Sequence, residues 1–236
     1  MNLADLYGEV QLGAGAVIGE QCVLGYPKEA RIRDAQRGAL TPGDRVVVGE
    51  RCLLFNQIIV HEGTVLGAGC VVEDRARIGY GCRIGARSRL VHGAYVCDRV
   101  HVGEDACVAG FVCDATVIGN RSTVMGDLVH EYTRPDMGWW GVDEEPPVVE
   151  NDSVVGFGAR VVGGVRIGPR SYVAAGAVVT KDVPSGHIVT GINVQTPIEQ
   201  WTGSRLGTLI EEWTSHTSQQ DFGVNDAPRS VDISEI

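Results

Sequence analysis

Aliphatic residues return at every sixth position along most of this chain. They fall at Leu6, Leu12, Ile18 and Leu24, then resume at Val48 and continue through Leu54, Val60, Leu66, Val72, Ile78, Ile84, Leu90, Val96, Val102 and Val108. The register slips by two to Val112, Ile118 and Val124, and a last block runs Val149, Val155, Val161, Ile167, Val173 and Val179. Four places after the aliphatic sits a small or β-branched residue, as at Ala16, Cys22, Thr64, Cys70, Ser88, Ala106, Ser122, Ala159 and Ser171. Glycine recurs one place after it, as at Gly13, Gly67, Gly85, Gly103, Gly119, Gly156 and Gly168. This predicts about 24 short strands, each with one inward aliphatic followed by a bend with a small inward corner residue. An amphipathic helix would space its apolar residues by three and four, and is excluded over these stretches.

Composition agrees with a regular object of strands and tight turns. Glycine is 32 of 236 residues, about twice the usual share, and aromatics are only 6%. Glycine does not take every third place, which excludes collagen, and the aliphatic content excludes a disordered chain. The net charge is -10, with the basic side chains supplied by arginine except for Lys28 and Lys181. Such a chain has no broad attraction for phosphate backbones, so no nucleic-acid partner is expected. The start lacks a signal-peptide pattern and no run reaches the ~18 apolar residues that cross a bilayer, so the expectation is a cytoplasmic protein with no membrane partner. Seven cysteines in such a chain read as free thiols, with Cys22, Cys52, Cys70 and Cys82 at inward corners and Cys97 and Cys113 on neighbouring coils. Arg51, Arg75, Arg87 and Arg99 fall at exposed bends and are expected to form a solvated face. No Cys-x-x-Cys, His-Glu-x-x-His, phosphate loop or Rossmann fingerprint occurs.

The hexads resemble the hexapeptide-repeat acyltransferases. The resemblance implies an all-β solenoid, a left-handed parallel β-helix with three hexads per coil and about eight coils. Its span is 1–197, with excursion loops at 25–47 and 130–148. After Val183-Pro184 the period stops. Leu206, Leu209, Ile210 and Trp213 take helical spacing, so a C-terminal helix is expected over 198–217 and a flexible acidic tail over 218–236.

Departures from a repeat are where function concentrates. The second excursion, His130 to Pro147, is aromatic, charged and bounded by proline, and His130 stands where the next aliphatic is due after Val124. This departure after a histidine, and the coils from Val161 to Pro184, resemble the galactoside and streptogramin acetyltransferase branch of the family. The resemblance implies that His130 is a general base and that coenzyme A lies along the C-terminal coils between subunits of a homotrimer. Gly156, Gly158, Ala174, Ala175, Gly176, Thr180 and Lys181 would then border the pantetheine channel, with acetyl-CoA or another acyl-CoA as co-substrate and no metal. Glu131 and Asp127 are candidates for orienting the base or the acceptor, and Trp139 and Trp140 for lining the acceptor mouth. The branch's glycine-asparagine-proline-alanine turn is replaced here by Gly191-Ile192-Asn193-Val194, and the tryptophan of its re-entry coil by Val154. His61, after the first excursion, resembles a substrate-touching histidine of the UDP-N-acetylglucosamine acyltransferases.

The expected activity is acylation of an amino or hydroxyl group of a sugar, nucleotide sugar or similar small molecule. A neutral imidazole suits that chemistry, because the attacking group must lose a proton near pH 7. Two alternatives stand beside it. One is a zinc enzyme like the γ-carbonic anhydrases, for which His92 and His101 are wrongly spaced; the other is a non-catalytic β-helical scaffold.

Overall fold

The computed structural model describes residues 3–131, 144–202 and 211. The chain divides into two compact units, Met1–Ile198 and Glu199–Ile236. The first is a parallel β-helix. Each turn contributes one strand to each of three parallel sheets, as Val10–Leu12, Val17–Ile18 and Val23–Tyr26 do in the first coil. Eight complete coils follow this order, and the strand His187–Thr190 adds a ninth level before Val194–Pro197 folds back antiparallel on it. Of the expected helix at 198–217, only the turn Ile198–Gln200 and residues Trp201, Thr202 and Glu211 are described; the expected tail at 218–236 lies outside the described residues.

The period works as a packing rule. The inward aliphatics from Val48 to Val179 are buried, including Leu54, Ile78, Leu90, Val124 and Ile167, and stack coil upon coil. Burying each such side chain stabilises the fold by about 1.5–3 kcal/mol. At the open N-terminal end the same position is uncovered, and Leu12 is 51% exposed. The small corner column does more than fit. Thr64, Ser88, Ser153 and Ser171 each donate a hydroxyl to a carbonyl of the following coil, as in Ser88 Oγ to Gly103 O at 2.7 Å. Their oxygens also accept a backbone N–H from that coil, as from Ala106 to Ser88 Oγ at 3.0 Å. The thiols of Cys52 and Cys70 replace the hydroxyl as donors, and all seven cysteines are free. A buried corner that would otherwise leave carbonyls unpaired is thereby satisfied.

Three expectations are corrected. Leu6 ends a 3-10 turn, Leu3–Leu6, rather than a strand. The excursion expected as a loop at 25–47 contains a helix, α1, at Glu29–Gln36, and its last residues already belong to the strand Val46–Val48. The segment EARIRDAQ is made mostly of good helix formers, and Arg33 pairs with Glu29 one turn earlier. Thirdly, the register slips a second time. Two corners between the second and third sheets are trimmed by two residues, at Ala109-Gly110 and Met125-Gly126, so the paired strands run Val96 to Val112 to Leu128. Gly110 makes the first trim possible: its φ is +82° and a Cβ there would lie 2.6 Å from Gly126 O. The inward residue is therefore Leu128, and His130 stands at the following corner rather than in the aliphatic column.

The bends also hold more charge pairing than a merely solvated face. Arg87 binds Asp105 and Glu104, and Arg121 binds Asp152, at 2.6–2.7 Å in one corner column. Arg51 and Arg87 share that column two coils apart, with Gly69 between them.

Candidate functional site

Both excursions leave from the corner that joins the third sheet to the first. Two residues past each inward aliphatic of the third sheet, this corner carries Tyr26, Glu62, Tyr80, Asp98, Asp114, His130, Gly163 and Lys181 in successive coils. The backbone binds this column together. Tyr80 N–H donates to Asp98 Oδ1 at 3.0 Å, and Asp98 N–H to Asp114 Oδ1 at 2.7 Å.

His130 follows the strand Asp127–Val129 and is 4% exposed. Burial pulls its pKa below 6.5; the charges of Asp114 and Glu144 oppose that shift, and Arg99 reinforces it. The outcome is a neutral imidazole at pH 7 facing a carboxylate one coil below. Asp114, sixteen residues before His130, is the site residue that the sequence reading missed. Asp127 takes another place. Its carboxylate accepts Phe111 N–H at 3.1 Å and lies 4.0 Å from Arg160, at the far end of the strand. Three extended residues separate it from His130, about 10 Å.

Above His130 the column carries no side chain of its own. Gly163 and Gly164 occupy the next corner, and a Cβ at Gly164 would lie 2.7 Å from Glu145 Cβ, where the chain returns. Glu131 is exposed and lies over Gly163, 3.5 Å from where a Cβ would stand. Lys181 is exposed one coil further, so two coils, about 10 Å, separate it from His130.

The remaining channel candidates fall into two groups at opposite edges of the third sheet. Gly156 and Gly158 stack on Ala174, Ala175 and Gly176, with Gly176 N–H donating to Phe157 O at 3.0 Å. Gly158 and Gly176 have φ of +67° and +71° with open space where a side chain would be, and Phe157 between the glycines is 81% exposed. Thr180 stands at the other edge beside Lys181. Its N–H and hydroxyl are both engaged by the Asn193 side chain at 2.8 Å, so the altered turn Gly191–Val194 clamps Thr180. Trp139 and Trp140 lie outside the described residues.

His61 is not brought to His130. It sits four coils below, about 19 Å away along the axis. It is buried against Tyr26, with ring centroids 5.0 Å apart, and burial with the charge of Arg77 pulls its pKa down to about 4. Beside it, Glu62 is fully buried and pairs with Arg31 of α1 at 2.8 Å. Glu62 also accepts Lys28 N–H at 3.0 Å, while Arg31 donates to the carbonyls of Thr41 and Leu6. Gly43 roofs the pair: a Cβ there would lie 2.7 Å from Arg31 Nη2 and 2.8 Å from Glu62 Oε2. His92 lies at a bend and His101 on the first sheet beside Arg83, so these two occupy different faces. No three metal-ligating side chains converge among the described residues, and no helix among them is long and apolar enough to cross a membrane.

Two family models match the chain: the bacterial transferase hexapeptide (six repeats) over residues 146–181, and the hexapeptide repeat of succinyl-transferase over residues 75–104. The bifunctional protein GlmU of Bordetella parapertussis is 28% identical over 204 residues, covering 84% of this chain and 41% of that protein. The 2,3,4,5-tetrahydropyridine-2,6-dicarboxylate N-acetyltransferase of Staphylococcus aureus is 48% identical over 46 residues, 20% of this chain and 19% of that protein. The chain thus spans well under two thirds of either relative's length. Among solved structures, a UDP-N-acetylglucosamine acyltransferase from Campylobacter jejuni aligns with a TM-score of 0.38 at 13% identity, covering 90% of this chain and 82% of that one. The six-residue period and the three parallel sheets it builds agree with the hexapeptide repeats that these two models match at residues 75–104 and 146–181.

Proposed function

We propose that this protein is an acyl-CoA-dependent transferase, acting with acetyl-CoA on an amino or hydroxyl group of a sugar, nucleotide sugar or similar small molecule. The observation that carries this reading is His130, a buried imidazole held neutral near pH 7 beside Asp114, at the point where the chain leaves its scaffold. In the proposed reaction the acceptor nitrogen or oxygen attacks the thioester carbonyl and passes its proton to His130. The new C–N or C–O bond forms, the C–S bond breaks, and the proton returns to the departing thiolate. The charge of Asp114 would stabilise the protonated form of the imidazole. Glu131, next to His130 in sequence and lying over Gly163, would contact the acceptor. The open glycine corners Gly156–Gly158 and Ala174–Gly176, with Lys181 at the far edge, would border coenzyme A, and a lysine there suits a phosphate. The resemblance to the galactoside and streptogramin acetyltransferase branch implies a homotrimer with coenzyme A between subunits.

The test is release of free thiol from acetyl-CoA, offered with amino sugars, nucleotide sugars and hydroxylated small molecules. Acceptor-dependent release is expected with at least one class. Absence of release with all of them, together with absence of coenzyme A binding by calorimetry, contradicts the reading.

A further inference from the structure

The site column continues below His130 into a feature that base chemistry does not use. Tyr80 is half-buried at the same corner, and two cations converge on its ring. Lys28 Nζ lies 5.1 Å from the ring centroid and Arg99 Cζ 5.9 Å, while Arg99 Nη1 donates to the Tyr80 hydroxyl at 3.1 Å. Lys28 is one of only two lysines in the sequence, and the other, Lys181, stands in this same column above His130.

The backbone builds this convergence. Arg99 has φ of +57°, which turns its side chain back over Gly81, where a Cβ would lie 3.8 Å from Arg99 Cγ. Lys28 is set by the excursion: it precedes α1, and its N–H is held by the buried carboxylate of Glu62. The buried Arg31–Glu62 pair therefore fixes where Lys28 begins. The charges of Asp114 and Asp98 act on Arg99, but neither carboxylate pairs with it directly. Asp98 and Asp114 accept backbone N–H groups, and no carboxylate among the described residues comes within 4 Å of Arg99. Lys28 has one acidic neighbour, Asp44, at 3.9 Å. Directly above Arg99 the column holds only the methyl of Ala115, so the surface between Arg99 and the His130 corner is low.

We propose that Lys28, Tyr80 and Arg99 form a subsite for the phosphate ester of an anionic acceptor, whose reacting group lies at His130. This rests on the transferase reading for the acceptor's role, but the site itself is defined by its cations and ring. Tyr80 stands three coils below His130, about 14 Å along the axis. That separation suits a sugar bearing a diphosphate and not a free monosaccharide. Phosphate oxygens take the guanidinium and ammonium donors in charge-assisted hydrogen bonds.

The experiment is calorimetric titration of the full chain with inorganic pyrophosphate, with and without saturating coenzyme A. Lys28→Gln and Arg99→Gln are the test variants. Arg51→Gln, an exposed bend arginine on another corner, is the control, and thermal melting checks that each variant is folded. Pyrophosphate is expected to bind with coenzyme A present, to weaken about tenfold in each test variant and to be unchanged in the control. Three results overturn the proposal: no binding to the wild type at millimolar pyrophosphate, equal weakening in Arg51→Gln and Arg99→Gln, or complete displacement by coenzyme A, which would assign the cations to that ligand's own phosphates. Failure of coenzyme A to bind together with absence of thiol release, with the Arg99 dependence intact, would remove the transferase reading and leave an anion site.

Discussion

The chain leaves its solenoid at one corner twice, after Leu24 and again after Val129, and the two departures are fixed by different means. The first is locked from below by a buried ion pair, Arg31–Glu62, roofed by Gly43 and tied to the carbonyls of Leu6 and Thr41. The second begins with a buried histidine facing Asp114, and its return is packed against the glycine corner Gly163-Gly164. A buried guanidinium–carboxylate pair has a fixed charge state at neutral pH, so it acts as an anchor. A buried imidazole is neutral at pH 7, because burial lowers its pKa, and it can accept a proton, which suits a base. The difference teaches that burial of polar groups at a break in a repeat is not itself a sign of catalysis. The kind of group buried, and what faces it, separates an anchor from a base.

Several substitutions would break or sharpen this contrast. The largest effect is expected at the anchor. Arg31→Met leaves the fully buried Glu62 without its cation and should destabilise the protein by about 3–5 kcal/mol, read by chemical denaturation. The double variant Arg31→Met with Glu62→Gln should recover much of that loss, since an uncompensated charge no longer remains. Failure of the double variant to recover would show that the pair's hydrogen bonds to the excursion matter more than its charge.

His61 gives the next effect, and its sign follows from its lowered pKa. The folded value of about 4 lies below the unfolded value near 6.5, so the unfolded state binds the extra proton between them. Stability is full above pH 6.5 and is lost as pH falls towards 4, by on the order of 2–3 kcal/mol. Melting temperatures of wild type and His61→Gln across that range should differ in slope, the variant losing less on acidification. Parallel slopes would place the acid sensitivity elsewhere.

Smaller changes test the scaffold. Ser153→Ala removes a hydroxyl that donates to Gly168 O and accepts from Ser171 N–H, and should cost about 1–2 kcal/mol. Arg87→Ala removes an exposed double pair and should cost no more than about 1 kcal/mol, and less at high salt.

Much of the fold was legible because one side-chain position in six must face inward, and that requirement is written into valine, leucine and isoleucine. It failed where the coil changed length. The trim at Met125-Gly126 restarts the register for a single strand before the chain departs, so Leu128 had too few successors to declare a new phase. His130 therefore looked like a replaced core residue, when it is a corner residue stacked on Asp114. That partner lies sixteen residues back, a spacing that means adjacency only once the shortened coils are known. The helix at Glu29–Gln36 is short and polar, with Arg31 and Ala35 as its buried residues, so it carries composition but no apolar period. Asp127 is near His130 in sequence, and the extended strand Asp127–Val129 turns that nearness into distance. The role of Asn193 as a clamp on Thr180 had no local signal, since it depends on a turn returning to the same edge.

The most direct test of the account is the pH dependence of kcat/KM for wild type, Asp114→Asn and His130→Ala in the thiol-release assay. Asparagine keeps an acceptor for Asp98 N–H while removing the charge. The account predicts a wild-type acidic limb below pH 6.5, a limb moved to still lower pH in Asp114→Asn, and at least a hundredfold loss of turnover in a folded His130→Ala. Near-normal turnover in His130→Ala, or a limb unmoved by Asp114→Asn, would contradict it.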